Sequence, residues 1–216
     1  MKKILCFHGF LGFPSDFDFL KDHYDIHAPD LSDYVQLSYP QLLKKMNHEF
    51  NLNHCHLLGY SFGARLAARI FSDINSQCKL FMLAGHLGLE STKEIKERES
   101  VESDFIQKAQ TYSDEEFLKY WNSLELFKWD DPIKVANLHN KDKYFLNYGL
   151  SKQPPLKEKL IKKKKNIKIN YGELDQKYVT YATQKLPIFE LRFWPETGHR
   201  LLQNKQKILD ELKGFI

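Results

Sequence analysis

Short apolar runs that alternate with longer segments of helical periodicity are the feature that most limits the folds open to this chain. Alternation of this kind is typical of a parallel sheet whose strands are connected by helices. The pattern predicts six strands, at Ile4–Phe7, Tyr24–Ala28, His54–Leu58, Lys79–Leu83, Ile167–Tyr171 and Glu190–Trp194. The sequence therefore predicts the α/β class, with a mostly parallel sheet of about six strands.

The helix expected after the third strand has the clearest pattern. Apolar residues recur in it every four positions, at Phe62, Leu66, Ile70 and Ile74. Ala67 and Phe71 extend the same apolar face. This spacing predicts one apolar stripe that packs against the sheet.

The segment from about residue 87 to residue 155 breaks the alternation, because it is rich in charged and aromatic residues and contains no predicted strand. Two capping boxes and an acidic pair before a proline predict three helix starts in it: Ser91 with Glu94, Ser113 with Glu116, and Asp130-Asp131-Pro132. We expect a single domain over residues 1–216, with this segment as a helical lid. The lid would cover the carboxyl edge of the sheet, where open α/β sheets place their sites.

Composition and charge exclude several classes of protein. The apolar fraction of 42% and the aromatic fraction of 14% are typical of a folded globular protein. The net charge of +4 is small, and the densest basic run, at 162–165, is better interpreted as a solvated helix end than as a nucleic-acid site. No apolar stretch approaches the roughly 20 residues that cross a bilayer. We therefore expect neither a nucleic-acid partner nor a membrane.

Cysteine and histidine spacing also argues against a metal centre. Cys6, Cys55 and Cys78 form no paired-cysteine motif, and the acidic and histidine residues form no HExxH motif. Free cysteines inside predicted strands fit a reducing cytoplasm.

A strand-to-helix turn carries the strongest chemical motif. Gly59-Tyr60-Ser61-Phe62-Gly63 is a GxSxG placed between the third predicted strand and the striped helix. A nucleophile on such a turn needs a positive φ and crowds its neighbours, which explains the small residues two positions before and after Ser61. The placement predicts that Ser61 is a catalytic serine.

A serine hydroxyl needs a proton acceptor, and the expected chain order is serine, acid, histidine. Asp175 follows the fifth predicted strand and His199 follows the sixth, so both fall at the same sheet edge as Ser61. Glu173 is the rival acid, because only two residues separate it from Asp175.

The other histidines are weaker candidates for the base. His8 lies before Gly9-Phe10 at the end of the first strand, where the amide of Phe10, with that of Phe62, would form an oxyanion hole. His86 follows the fourth predicted strand. Two interpretations are open for it, a residue that lines the pocket and a structural residue of the loop.

Further motifs resemble one group of α/β-hydrolase-fold proteins. They are Phe7-His8-Gly9-Phe10, Gly59-Tyr60-Ser61-Phe62-Gly63-Ala64-Arg65, Gly85-His86-Leu87-Gly88-Leu89, Glu97-Arg98, Trp121, Gly172-Glu173-Leu174-Asp175 and Gly198-His199. Together the motifs resemble the MenH-like 2-succinyl-6-hydroxy-2,4-cyclohexadiene-1-carboxylate synthases of the menaquinone pathway. The resemblance covers most of the chain and implies an α/β-hydrolase fold.

The resemblance also implies an activity. Members of that family act as lyases, which eliminate pyruvate from a small-molecule polycarboxylate substrate without a metal or another cofactor. It implies that Ser61, with His199 as proton acceptor and Asp175 as orienting acid, acts as a base. The substrate-binding residues that it implies are Tyr60, Arg65, Arg98 and Trp121.

Residue chemistry supports part of this assignment independently. Arg65 follows Ser61 by one helical turn, and helical side chains lean toward the N-terminus, so its guanidinium is expected near the serine. A cation there suits a carboxylate substrate, whereas a neutral ester has little need of it. For Trp121, packing within the lid is the alternative to a pocket role.

The chain departs from the family pattern at three places. Asp30-Leu31-Ser32-Asp33 replaces a glycine-histidine-glycine turn, Tyr148 stands at an expected arginine, and two antiparallel strands normally found before the first strand are not seen. Arg200 is a candidate replacement cation. A carboxylic-ester or thioester hydrolase that uses Ser61 as nucleophile is the alternative function, and a non-catalytic binding protein is a third.

Overall fold

The computed structural model describes residues 1–74 and 77–216. The described residues form one sheet of six strands, in the order β2-β1-β3-β4-β5-β6, and every neighbouring pair in it is parallel. The strands are β1 (Lys3–Phe7), β2 (Asp25–His27), β3 (His56–Tyr60), β4 (Leu80–Leu83), β5 (Ile167–Gly172) and β6 (Glu190–Trp194). The predicted parallel sheet is confirmed.

The third strand lies two residues later than the sequence pattern predicts. Residues Leu52–His54 form a 3₁₀ turn, so β3 begins only at His56. At its other end, Gly59 and Tyr60 remain paired with β4. As a result Ser61 follows the last paired residue of the strand directly.

Across the described residues the chain also forms eight α-helices. They are α1 (Tyr39–Phe50), α2 (Phe62–Asp73), α3 (Thr92–Thr111), α4 (Asp114–Asn122), α5 (Lys143–Tyr148), α6 (Lys157–Ile161), α7 (Gln176–Lys185) and α8 (Lys205–Lys213). The apolar stripe predicted for α2 is confirmed, since all of its residues are buried. Among the described helices, none has both the length and the apolar character needed to cross a membrane.

Strand side chains alternate between two apolar cores, one on each face of the sheet. In β1, Leu5 and Phe7 belong to the core that contains α1 and α2, whereas Ile4 and Cys6 belong to the core that contains α8. This alternation follows from the two-residue period of a strand. Both faces of the sheet are therefore covered, as a parallel sheet requires.

The segment between β4 and β5 contains α3 to α6, and none of its residues, all of which are described, forms a strand. Both predicted capping boxes are confirmed, because Ser91 and Ser113 each accept a hydrogen bond from the amide three residues later. The helix start predicted at Asp130 is wrong: residues 130–140 contain no helix, and α5 begins at Lys143. The Asp130 carboxylate instead binds a distant loop, described below.

The first turn of α2 lies directly against the end of β1. A Cβ atom at Gly63 would sit 2.1 Å from the carbonyl oxygen of Phe7 and 2.4 Å from that of His8. A Cβ at Gly59 would sit 2.5 Å from the carbonyl oxygen of Gly63. These separations are far below van der Waals contact, so both glycines of the GxSxG motif are required by packing as well as by the turn.

We expect Gly63→Ala to lower the free energy of unfolding by about 3 kcal/mol or more, because the atoms that obstruct the new methyl group belong to the backbone. Gly214→Ala is the matched control, since its Cβ would meet its nearest neighbours at 3.8 Å. Chemical denaturation of both variants measures the difference. Similar, small changes for the two variants would contradict the close packing of α2 on β1.

Candidate active site

Ser61 occupies a strained turn between β3 and α2. Its backbone has φ 51° and ψ −110°, a conformation that non-glycine residues rarely adopt and that costs about 1–3 kcal/mol. The turn is held from both sides, because the Ser61 amide donates to the Leu83 carbonyl and the Ser61 carbonyl accepts from the Arg65 amide. The result is a serine projecting from the carboxyl edge of the sheet, as the GxSxG motif predicts.

The structure brings Ser61, His199 and Asp175 together. Ser61 Oγ lies 3.0 Å from His199 Nε2, and His199 Nδ1 lies 2.6 Å from Asp175 Oδ2. A carboxylate can only accept, so Nδ1 carries the proton that it donates to Asp175. Nε2 is then left to accept the Ser61 hydroxyl proton. This is the geometry of an activated serine.

Asp175 has a second structural function. It is the N-cap of α7, and its Oδ1 accepts a hydrogen bond from the Tyr178 amide at 3.3 Å. The helix N-terminus stabilises a negative charge at this position. Glu173, the rival acid, is exposed, and within the described part of the chain its side chain has no hydrogen bond to His199.

Asp130 fixes the loop that carries His199. Its two carboxylate oxygens accept from the amides of His199 and Arg200, at 2.9 and 3.0 Å. Burial raises the pKa of the Asp130 carboxyl, while the two amides oppose this shift. The loop between α4 and α5 thus supplies the acceptor that positions the histidine, 69 residues away in sequence.

Two residues that line the cavity beside Ser61, Phe10 and Phe62, have backbone amides without a protein partner in the described part of the chain. The loop of Phe10 is fixed by His8, whose Nδ1 donates to the Gly9 carbonyl at 2.8 Å and whose Nε2 accepts from the Leu31 amide at 2.9 Å. Because both ring nitrogens are occupied in this way, His8 has a structural role. The role of Phe10 and Phe62 as oxyanion donors stays a prediction.

A cavity of about 230 Å³ opens beside Ser61 and contains three cations. Its cationic lining consists of Arg65, Arg98 and Lys177. Its apolar walls come mainly from the segment between β4 and β5, and they are Val101, Phe105, Trp121, Leu124, Phe127 and Phe145. The structure thus places three of the predicted substrate-binding residues, Arg65, Arg98 and Trp121, around one cavity.

Arg65 is buried and is held by neutral acceptors. Its Nη1 donates to the Tyr148 carbonyl at 3.2 Å and to Gln153 Oε1 at 3.4 Å. Burial, reinforced by the nearby Arg98, lowers the pKa of Arg65 to about 10. No carboxylate neutralises this guanidinium within the described residues, and its Nη2 has no acceptor there.

Arg98 has an internal anionic partner, which the sequence motif does not indicate. Its Nε donates to Glu102 Oε1 at 2.7 Å. Glu102 is buried and also accepts from the amides of Leu150 and Ser151. The two terminal nitrogens of Arg98 donate to no acceptor in the described parts of the chain, so they remain available to a ligand.

Neither candidate replacement for the expected arginine reaches this cavity. The Tyr148 hydroxyl points away and donates to the Leu37 carbonyl at 2.6 Å. Arg200 packs over the Phe127 ring and donates to Asn122 Oδ1 and to the Asp131 carbonyl. It faces a different cavity.

That second cavity has a volume of about 310 Å³ and lies on the other side of the serine. Tyr60 and Arg200 line it, together with residues of the 9–16 loop. Phe10, Ser61, Trp121 and Phe127 line both cavities, so Ser61 lies at their junction. Tyr60, the fourth predicted substrate-binding residue, therefore contributes to the second cavity and not to the cationic one.

Sequence reasoning missed three residues of the site: Asp130, Glu102 and Lys177. The local pattern at Asp130, an acidic pair before a proline, indicates a helix start and gives no sign of a contact with the His199 loop. Glu102 follows Arg98 at a spacing that favours an ion pair on a helix, which was an available signal. Lys177 lies two residues after Asp175, but only the fold shows that it faces the cavity.

The parallel sheet, the strained serine turn and the order serine, aspartate, histidine define an α/β-hydrolase fold. Solved structures support this fold. MenH from S. aureus is 22% identical, with a TM-score of 0.81 over 100% of this chain and 93% of that one. The esterase EaEST from Exiguobacterium antarcticum is 16% identical, with a TM-score of 0.71 over 100% and 91%.

A third structural relative is a carboxylesterase from the thaumarchaeon Nitrososphaera gargenis, 13% identical, with a TM-score of 0.72 over 99% of this chain and 89% of the other. The chain matches no protein-family model and no curated protein sequence. These comparisons show that the chain has the α/β-hydrolase fold.

We expect Asp130→Ala to slow modification of Ser61 by phenylmethylsulfonyl fluoride about tenfold to a hundredfold, because a histidine displaced by even 1 Å activates the serine poorly. Asp131→Ala is the matched control, since Asp131 contributes only its main-chain carbonyl to Arg200 and Gln203. The inactivation rate of each variant is the measurement. Equal rates for the two variants would show that Asp130 does not position His199.

Proposed function

We propose that the protein eliminates pyruvate from 2-succinyl-5-enolpyruvyl-6-hydroxy-3-cyclohexene-1-carboxylate, with Ser61, His199 and Asp175 acting as the base. The product would be 2-succinyl-6-hydroxy-2,4-cyclohexadiene-1-carboxylate of menaquinone biosynthesis. No metal or cofactor takes part in this mechanism.

The observation that carries the proposal is the cationic cavity that opens on Ser61. A substrate with several carboxylates needs fixed cations, and Arg65 and Arg98 both keep guanidinium nitrogens free for bidentate pairing. A hydrolase of neutral esters gains nothing from a buried cation that, like Arg65, has no bonded carboxylate among the described residues, and such a cation costs free energy in the empty site. The structural likeness to MenH from S. aureus supports the same conclusion.

The names of substrate and product define the bonds that change. The ring carbon that bears the succinyl group, C2, loses a proton, and the electron pair of that C–H bond forms the C2–C3 double bond. The C3–C4 double bond moves to C4–C5, and the bond from C5 to the enolpyruvyl oxygen breaks. Pyruvate leaves as its enolate and is then protonated on carbon. In this mechanism Ser61 Oγ removes the ring proton as its own proton passes to His199 Nε2, so no acyl-enzyme forms.

The free amides of Phe10 and Phe62 would serve the same step. Removal of the ring proton moves negative charge onto the oxygen of the adjacent succinyl carbonyl. Two preorganised N–H donors aimed at that oxygen stabilise the charge as it develops. Trp121 would form the apolar wall against the ring, and Tyr60 would contact the part of the substrate that enters the second cavity.

We further propose that the segment from about residue 87 to residue 155 acts as a lid. Its residues Arg98, Phe105, Trp121 and Phe127 line the cavity above the serine. Covering the site in this way would exclude water, which strengthens every charged contact inside it.

A carboxylic-ester or thioester hydrolase is the second candidate function. The second cavity favours it, because this larger space beside Ser61 and Phe10 could hold an acyl group. The structural likeness to EaEST and to the Nitrososphaera gargenis carboxylesterase favours it too. In that reaction Ser61 would attack the carbonyl carbon itself.

A paired assay distinguishes the two functions. We expect the purified protein to release pyruvate from the proposed substrate and Ser61→Ala to lose nearly all of that activity. A panel of short acyl esters and thioesters is measured in parallel. Ester turnover without pyruvate release would overturn the lyase proposal, and neither activity would favour a binding protein.

We expect Arg65→Met to lower kcat/KM for the elimination about tenfold to a hundredfold, since it removes charge-assisted hydrogen bonds to a carboxylate. Hydrolysis of any neutral ester should change by no more than a few-fold. Arg69→Met is the control, because Arg69 lies one turn further along α2 and stacks over Tyr39, outside the cationic cavity. Equal losses in both reactions would count against a carboxylate role for Arg65.

A further inference from the structure

Lys177 is a third cation of the cavity beside Ser61, and the family resemblance does not assign it a role. It is the second residue of α7 and lies two positions after Asp175, the acid bound to His199. It lines the same cavity as Ser61, Arg65 and Arg98. It is exposed to solvent where it lines that cavity.

Nothing in the described protein stabilises the charge of Lys177 through a direct bond. Its ammonium forms no hydrogen bond and no ion pair with any described residue. It occupies the first turn of a helix, where the macrodipole disfavours a cation. Partial desolvation, together with repulsion from Arg98, lowers the pKa of Lys177, and Asp175 opposes the shift. Lys177 is therefore a solvent-exposed cation of the cavity lining that no described residue neutralises by direct contact, so it can pair with an anionic ligand.

Among the described residues, the acids near the cavity form no ion pair with Arg65 or Lys177. Glu94 and Glu97, which line a neighbouring cavity with Lys177, bond to Ser91 and Lys93. Glu102 is already paired with Arg98 and with two backbone amides. Glu125, at the cavity mouth, pairs outward with Lys128. Asp175 is bound to His199. Arg65 and Lys177 are thus left without an anionic partner among the described residues.

His86, the titratable side chain on the other side of Lys177, adds no negative charge. Its Nδ1 accepts from the Gly88 amide and its ring stacks on Tyr181 at 3.7 Å. Burial, and then the positive charges of Arg65, Arg98 and Lys177, lower the pKa of His86 to about 3. His86 is therefore neutral and adds no charge of its own to the cavity.

We infer that Lys177 binds a carboxylate of the ligand, so that the cavity selects cyclic compounds with at least two carboxylates. Arg65 and Lys177 are the two unpaired cations, and each would take one carboxylate. The aromatic walls formed by Phe105, Trp121 and Phe127 would contact the ring between them. This inference rests on the proposed function only in placing the ligand beside Ser61.

The test measures binding alone, so it does not depend on catalysis. Isothermal titration calorimetry at low ionic strength compares phthalate, a cyclic dicarboxylate, with benzoate, the matched monocarboxylate. The proteins are the wild type, Lys177→Gln, Lys177→Arg and Lys185→Gln. Lys185 is the control, because it ends the same helix and pairs with Glu90 on the surface.

We expect the wild type to bind phthalate roughly tenfold more tightly than benzoate, the gain of one charge-assisted hydrogen bond. Lys177→Gln should lose most of this preference, Lys177→Arg should keep it, and Lys185→Gln should leave it unchanged. No preference in the wild type, or an equal preference in Lys177→Gln, would overturn the inference.

Thermal unfolding separates a binding role from a structural one. Because Lys177 is exposed and forms no hydrogen bond or ion pair with any described residue, Lys177→Gln should unfold at about the same temperature as the wild type. A lysine that supports the fold would give a lower unfolding temperature when replaced, which would contradict the inference.

The failures of this inference and of the proposed function are distinguishable. Pyruvate release with no phthalate preference would overturn the role of Lys177 and leave the lyase proposal intact. Phthalate preference with no pyruvate release would overturn the lyase proposal and support the dicarboxylate site. If elimination is observed, Lys177→Gln should raise KM and leave kcat within a few-fold.

Discussion

The close approach of α2 to the end of β1 is the constraint on which the site depends. Only hydrogen atoms fit between Gly63 and the carbonyl groups of Phe7 and His8. This contact places the Phe62 amide near the loop that carries the Phe10 amide, and it requires the left-handed backbone of Ser61. The strain at Ser61 persists because the sheet, the helix and the β1 loop all fix the same turn.

Charge is the second constraint, and it acts against stability. The cavity beside the serine contains three cations, and among the described residues Glu102, which pairs with Arg98, is the single acid bonded to them. Cations without a bonded acid lower the free energy of unfolding of the empty protein, and they become favourable only when an anion binds. Functional sites commonly carry a stability cost of this kind. The arrangement of Arg65 and Lys177 is therefore easier to explain by a polycarboxylate ligand than by the needs of the fold.

The features that the sequence predicts are those with a local pattern. Strand positions follow from apolar runs, α2 from its four-residue stripe, and the serine turn from two glycines around Ser61. The partners of His199 are distant from it in sequence. The sequence favours Asp175 as the acid but leaves Glu173 as a rival, and the distance of 2.6 Å from Asp175 to Nδ1 distinguishes the two. Asp130 could not be found at all, because its contact with the His199 loop spans 69 residues and its local pattern is typical of a helix start. The separation of Tyr60 and Arg200 from the cationic cavity also required the fold.

The central claim is that Ser61 acts as a base on carbon. The most direct measurement is single-turnover release of pyruvate from substrate that carries deuterium on the ring carbon bearing the succinyl group. We predict slower release than from the unlabelled substrate, because the labelled bond breaks in the step that Ser61 catalyses, and no acyl adduct on the protein by intact mass. Equal release rates together with an acyl adduct on Ser61 would contradict the account and establish nucleophilic catalysis instead.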